Sequence, residues 1–421
     1  MNIFLSLVVF FHIQPLTNLK WIDVSGSVHL EELPDLSDAR KLKILRLNDC
    51  NSLVEIPSSF SNLHKLKELW VTGCINLEVI PANMNLASLK VVNMGGCLKL
   101  RDMPLISTNI RTLLLSGTAV EDVATSIRLW SRLQFLDIHG TCNLKEITHL
   151  PKSITTLILI GSDIERIPGC VKSLHRLKNL TLAGCRRLTP LPELPRSLQS
   201  LIADNCESLE TVCSPFNTPN ADLKFANCFK LGQEARRTII QRWFRHGKTT
   251  LLPGSEVPEE FDHRGKGNVL TIRPNGNVFV VCLVISPLKG KTVQQTIQSS
   301  HPELWSIRIL SKDERLPVEG FVLLGNNPHA FRKEHLFIFH TLFPYGLTSE
   351  IEYEFSSKFH EFDIIDCGAK SWTDESIEGS NESGSDQESE EESTDGSDES
   401  GSDQESEDDS TEGSDESGSD S

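Results

Sequence analysis

Apolar residues return along this chain at one fixed set of spacings. In LKELWVTGCINLEVIP, Leu66–Pro81, the residues Leu66, Leu69 and Val71 fall at i, i+3 and i+5, and Cys74, Leu77 and Ile80-Pro81 follow. The same register occurs earlier as Leu42, Leu45, Leu47, Cys50, Leu53 and Ile56-Pro57. It occurs later as Leu177, Leu180, Leu182, Cys185, Leu188 and Leu191-Pro192. Each unit supplies one short strand, one small residue able to hydrogen bond in a buried slot, and one return segment. A single unit cannot bury its apolar edge, so the pattern predicts stacked coils, an α/β leucine-rich-repeat solenoid.

Units begin at Leu19, Leu42, Leu66, Leu89, Ile110, Leu133, Ile154, Leu177 and Leu198, with a degenerate tenth around Leu223, Phe225 and Cys228. The solenoid is therefore placed at 16–231. Short, proline-rich returns such as Leu191–Pro195 predict open turns, while Ser58–Lys65 has room for a helical turn. Two units are read as exceptions in the cysteine slot, with Thr118 and Thr141 there.

Because strand side chains alternate, the residues flanking the buried strand positions point to the concave face. That face is expected to hold Trp21 and Asp23, Ile44 and Arg46, Glu68 and Trp70, Val91 and Asn93, Phe135, Asp137 and His139, and Ile158 and Ile160. Exposed aromatics amid mixed charge suit protein recognition; the plainer alternative is a solvated face. Trp70 and Phe135 are placed at equivalent positions three repeats apart, roughly 14 Å, with Arg46, Glu68, Asp137 and His139 as the charged rim.

After Leu231 the period stops. Residues 232–250 are read as a capping helix and linker. In Glu234–Phe244, Ile239, Ile240, Trp243 and Phe244 lie on one side, and Arg236, Arg237 and Arg242 lie elsewhere. Over 251–372 the runs NVLTI, Asn277–Ile285, LWSIRIL, His335–Phe343 and Glu350–Ser356 predict an all-β sandwich of jelly-roll or immunoglobulin-like type. Residues 373–421 contain an imperfect tandem duplication, Gly384–Ser400 repeated at Gly401–Ser417. Dense like charge with almost no apolar residue predicts a disordered acidic tail, either solubilising or a substrate for an acid-directed kinase.

Charge and cysteines sharpen this division. The formal charge is −17, yet 21 of the 58 acids lie in 373–421, which leaves 37 acids against 41 bases. The folded part is near neutral, so neither nucleic acid nor membrane is implied as a partner. Most of the eleven cysteines recur in the repeat slot, and none forms a C-x-x-C pair. They read as reduced thiols of an intracellular protein and not as zinc ligands. The apolar run Ile3–Ile13, in a non-repeat segment at 1–15, is too short to span a bilayer and lacks a basic n-region. It is read as the start of a chain cut into a longer repeat protein.

No catalytic, cofactor or metal residue is assigned, and a non-enzyme is expected. His246-Gly247-Lys248-Thr249 lacks the glycine that a phosphate loop needs five residues earlier, where Arg242 stands. Repeats such as LPELPRSLQSLIADNCESLETV are similar to those of bacterial effector ubiquitin ligases, but no cysteine here has Asp two residues on. No nucleophile elbow accompanies His263 or His335.

Repeats of the form LKxLxLxxCxxLxxIP, then Leu223–Leu231 (LKFANCFKL), Leu251–Gly267 (LLPGSEVPEEFDHRGKG) and Glu354–Lys370 (EFSSKFHEFDIIDCGAK), together resemble one family. This is the class of plant intracellular immune receptors with a TIR domain, a nucleotide-binding domain, leucine-rich repeats and a post-repeat jelly-roll called C-JID. The resemblance covers Gln14 to Trp372. It implies the sensing part of such a receptor, cytoplasmic or nuclear, reading a pathogen effector or a guarded host protein. A truncated product acting as adaptor or decoy with a full-length receptor is the alternative. In that family the TIR domain cleaves NAD and the nucleotide domain switches with ATP; no phosphate-cradling loop precedes these repeats, so neither activity is carried over.

Overall fold

A computed structural model of the chain describes residues 16–371, apart from 83, 122–126, 128, 142, 146, 247, 274–277, 288–305, 312–318, 324–330, 343–349 and 358–361. The expected segment at 1–15 and the expected tail at 373–421 lie outside the described residues.

In each unit the residue at the strand centre is apolar and buried, and its two neighbours are not buried with it except at Asp137. Three-residue strands result: β1 (Trp21–Asp23), β2 (Ile44–Arg46), β3 (Glu68–Trp70), β4 (Val91–Asn93), β5 (Thr112–Leu114), β6 (Phe135–Asp137), β7 (Thr156–Ile158), β8 (Asn179–Thr181), β10 (Ser200–Ile202) and β12 (Asp222–Lys224). They pair in parallel in that order. On the return side, β9 (Pro190–Leu191) and β11 (Thr211–Val212) form a small second ladder. The longer returns hold single 3-10 turns at Ser58–Asn62 and Gly169–Ser173.

Each strand ends because the chain then enters the left-handed region. Gly26, Asp49, Gly73, Gly96, Gly117, Gly140, Gly161, Gly184, Asn205 and Asn227 all have positive φ. This is open to glycine and tolerated by Asn and Asp. From Gly26 to Asn205, each of these N–H groups donates to a carbonyl of the next coil at 2.7–2.8 Å. At Gly73 the demand is steric as well, since an added Cβ would stand 2.3 Å from Asp49 Oδ1.

The buried slot just beyond each left-handed residue is occupied by Ser27, Cys50, Cys74, Cys97, Thr118, Thr141, Ser162, Cys185, Cys206 and Cys228. Four coils therefore depart from cysteine, not two; Ser27 and Ser162 join the threonines. The two chemistries bond differently. Cys74, Cys97 and Cys185 donate to carbonyls of the preceding coil, at Leu47 (2.9 Å), Val71 (3.1 Å) and Leu159 (3.0 Å). Thr118, Thr141 and Ser162 donate within their own coil at 2.8 Å. Burial pushes the Cys97 thiol up to about 12 and that of Cys185 to about 11, which keeps them protonated and inert. Outside the slot, Cys170 and Cys213 lie in returns and are exposed.

The solenoid is closed at its C-terminal end by α1 (Gln233–His246) and by the strand after it. Ile239, Ile240 and Trp243 are buried as the pattern predicts. Arg242 is not on the outer side but fully buried, because its Nε and Nη2 satisfy the carbonyl of Thr218, and Nη2 also that of Ala221 at 2.6 Å. A long, multi-donor side chain reaches two carbonyls of the last return that no further coil serves. Arg236 likewise donates to Leu231 O (2.9 Å) and Phe229 O (3.2 Å).

β13 (Thr250–Pro253) then adds in parallel to β12, so the solenoid sheet continues beyond the last repeat. The antiparallel strands β14 (His263–Lys266), β16 (Val278–Pro287), β19 (His335–Leu342) and β21 (Phe362–Ser371) extend it in the order β13-β19-β16-β21-β14. A second antiparallel sheet holds β15 (Val269–Ile272), β17 (Ser306–Ser311), β18 (Glu319–Leu323) and β20 (Ile351–Ser357). Leu270, Ile272, Tyr353 and Phe355 of that sheet share one apolar cluster with Phe279, Val281, Phe337 and Phe339.

One buried side chain completes the joint between solenoid and sheets that the β12–β13 pairing begins. Asn227 is the last left-handed residue of the ladder, and its N–H has no further coil to meet. His335 Nε2 accepts it at 2.8 Å, while His335 Nδ1 donates to Lys333 O at 2.8 Å. The ring is buried and stacked on Phe331 at 4.5 Å. Burial lowers its pKa to about 4 from the ordinary 6.5. The unfolded chain therefore binds more protons between those values, so the stability that neutral His335 provides is complete above about pH 6.5 and is lost as pH falls towards 4. Acid titration of the unfolding free energy should show a loss of up to about 3 kcal/mol in that window. In His335→Phe that component should vanish, with about 1–3 kcal/mol lost at neutral pH through the orphaned Asn227 N–H. Equal pH slopes in the two proteins would contradict this assignment.

Candidate protein-recognition surface

The strands present their first and third residues on the open side, giving two rows in register. Trp21, Ile44, Glu68, Val91, Thr112 and Phe135 form the first; Asp23, Arg46, Trp70, Asn93, Leu114, Asp137 and Ile158 form the second. Trp70 and Phe135 are thus not equivalent. Counted from the apolar start of each unit, Trp70 is four residues on and Phe135 two, so Trp70 aligns with Asp137 and Phe135 with Glu68. Strand spacing and rise put them roughly 16 Å apart, on adjacent rows of one patch.

Several candidates carry local structure as well. Asp23, Asn93 and Asp137 each accept the N–H two residues on, from Ser25 (3.1 Å), Gly95 (3.0 Å) and His139 (3.0 Å). These Asx turns hold the chain at the strand exit. Asp137 is buried and also bonds His139 Nδ1 at 2.7 Å, so it supplies the rim with little free charge. His139 is exposed. Arg46 lies 5.4 Å over the Trp21 ring and 3.8 Å from Asp23; pairs this open contribute little stability.

What remains for a partner is mainly aromatic and cationic. Trp21 is 58% exposed. Trp70 is half-buried, and its indole N–H donates to Glu68 Oε2 at 3.1 Å, which fixes the ring at low entropic cost. Phe135 and Ile158 are half-buried, and Ile160 is 40% exposed. The chemistry available is apolar contact, cation–π contact and rim hydrogen bonding, which suits a protein surface.

Sequence reasoning passes over two features. The row of left-handed Gly, Asp and Asn is visible as one such residue per unit, one position before the slot. A cleft of about 630 Å³ lined by Lys178, Arg196, Ser197, Gln199, Asn220, Asp222 and Lys248 draws on three coils and the helix exit, so no single motif announces it. His335 is structural: both ring nitrogens are occupied by backbone partners. LPGSEVPEEF is also a packing element. Its Phe261 is buried, and a Cβ on Gly368 of β21 would stand 2.5 Å from Val257 Cγ1. Among the described residues no group of three potential metal ligands occurs, and no helix is long and apolar enough to cross a membrane.

No family model matches the chain. Disease resistance protein RML1B of Arabidopsis thaliana is 53% identical over 382 residues, which cover 90% of this chain and 36% of that protein. Disease resistance protein RML1A of the same plant is 40% identical over 278 residues, 65% of this chain and 28% of that protein. The chain thus spans about a third of the length of these curated relatives. Among solved structures, the leucine-rich repeat domain of the type III effector XopL aligns at 18% identity and a TM-score of 0.35, over 59% of this chain and 78% of that one; so slight a likeness carries no argument. By sequence, the chain is a homologue of the Arabidopsis disease resistance proteins that join TIR, nucleotide-binding and leucine-rich-repeat parts, and it matches their C-terminal part.

Proposed function

We propose that this chain is the ligand-sensing part of a plant intracellular innate immune receptor, recognising a pathogen effector or a guarded host protein through the open strand face of its solenoid. The observation that carries this is the patch around Trp70 and Phe135, pre-ordered by Glu68 and bordered by Arg46 and His139, in a homologue of disease resistance proteins. The antiparallel sheets that continue the solenoid are read as the C-JID jelly-roll. The reading is of a non-enzymatic binding module, with no nucleic-acid or membrane partner, working in the cytoplasm or nucleus.

A ligand captured from pathogen-challenged plant tissue gives the test. Trp70→Ala/Phe135→Ala should weaken its binding by about 2 kcal/mol or more, roughly 30-fold, while the melting curve is unchanged. Parallel loss of stability and affinity would make these aromatics core residues. Undiminished binding would remove the patch from recognition.

A further inference from the structure

Immediately before the strand, five consecutive coils carry a cation: Lys20, Lys43, Lys67, Lys90 and Arg111. Their backbones are locked in register, since the N–H of each from Lys43 to Arg111 donates to the carbonyl of the one before at 2.8 Å. All five side chains are exposed, and none has an ion pair or hydrogen bond among the described residues. The row spans about 19 Å at the strand spacing of a sheet. Like-signed neighbours in series repel one another, and the structure does nothing to relieve it.

The charge is also segregated across the coil. Over 58–67, 82–90 and 105–111, the rises into β3, β4 and β5, the chain carries Lys65, Lys67, Lys90 and Arg111 and no acid at all. Of the acids of the first coils, Glu31, Glu32, Glu55 and Glu78 are exposed in the return segments after the strand, while Asp35 and Asp38 lie before β2, where Asp35 accepts from Ser37. One edge of the solenoid is therefore cationic and unpaired, beside the recognition patch but separate from it.

We infer that this edge is a second binding site, and that its partner is an acidic, extended polypeptide segment. A row of about 19 Å matches six residues of extended chain, whose carboxylates can meet successive coils. A polypeptide fits better than a nucleic acid because Glu68 stands one residue from Lys67 and Asp23 three residues from Lys20, on the neighbouring strand rows. A uniformly charged phosphate backbone would meet them, whereas a peptide places its acids selectively.

The test uses the full chain and a labelled glutamate-rich dodecapeptide, followed by fluorescence anisotropy. Binding should weaken as ionic strength rises to the physiological range. Lys43→Glu/Lys67→Glu/Lys90→Glu should weaken it by about tenfold or more. Lys99→Glu/Lys145→Glu/Arg186→Glu makes the same charge change outside the row and should weaken it less than about threefold. Trp70→Ala/Phe135→Ala should leave it unchanged, so failure here and failure of the concave-face reading are separate results. Equal loss in both triple variants, or no peptide binding, would overturn the inference. So would tighter binding of a single-stranded oligonucleotide at the same lysines, which would make the edge a nucleic-acid surface.

Discussion

Replacing Cys74 by Arg should unfold the coils around it, with a loss of more than about 4 kcal/mol. Cys74 is fully buried, and its thiol donates to Leu47 O of the preceding coil. The neighbouring Cys50 thiol and burial favour its protonated form, so the site has no provision for charge. A guanidinium there has neither carboxylate nor water, and a solenoid shares its stability between adjacent coils. Cys74→Ser should cost only about 1 kcal/mol, because Thr118, Thr141 and Ser162 already fill this slot with hydroxyls elsewhere. Chemical denaturation followed by circular dichroism distinguishes the two, and equal destabilisation by Ser and Arg would contradict the assignment of the slot.

The second large effect is expected at Arg242, where three terms compete. Removing the side chain forfeits charge-assisted bonds to the carbonyls of Thr218 and Ala221, about 1.5–3 kcal/mol each. It also leaves a cavity where the fully buried side chain stood, on the order of 2–5 kcal/mol for truncation to Ala. Against this, burial has lowered the Arg242 pKa to about 10 from 12.5, so relief from desolvation returns about 3 kcal/mol. Arg242→Ala should therefore lose about 3 kcal/mol or more, since bonds and packing together exceed the relief. Arg242→Met keeps the volume and should lose only about 1 kcal/mol, bond loss and relief nearly cancelling. Urea midpoints for the two variants decide the matter. If Met is as damaging as Ala, hydrogen bonding and not packing dominates.

The solenoid can be read from Leu19 to Cys228 because each unit repeats the same test of apolar spacing, and errors in one unit are corrected by its neighbours. The row assignment of Trp70 and Phe135 escapes that correction. Both face the same side, so a two-residue offset leaves the apolar pattern intact and appears only when the strands are paired. Helix periodicity places Arg242 outward because it weighs a charge as polar, whereas the carbonyls of Thr218 and Ala221 give its guanidinium buried acceptors. Beyond Leu231 no repeat averages the signal. The strand at Phe362–Ser371 is hidden by Cys367, Gly368 and Ala369, of which Gly368 has Val257 and Phe261 lying over it. Thr250–Pro253 is only four residues long, and its role depends on the unpaired edge of β12, which no local pattern encodes.

Amide hydrogen exchange of the full chain, with and without a ligand captured from challenged plant tissue, tests the recognition surface most directly. Exchange reports local opening along the backbone, coil by coil. Protection on binding should concentrate in the strands and strand exits between Trp21 and Ile160, greatest near Trp70 and Phe135. Protection confined to 250–371, with the solenoid strands unaffected, would contradict the account.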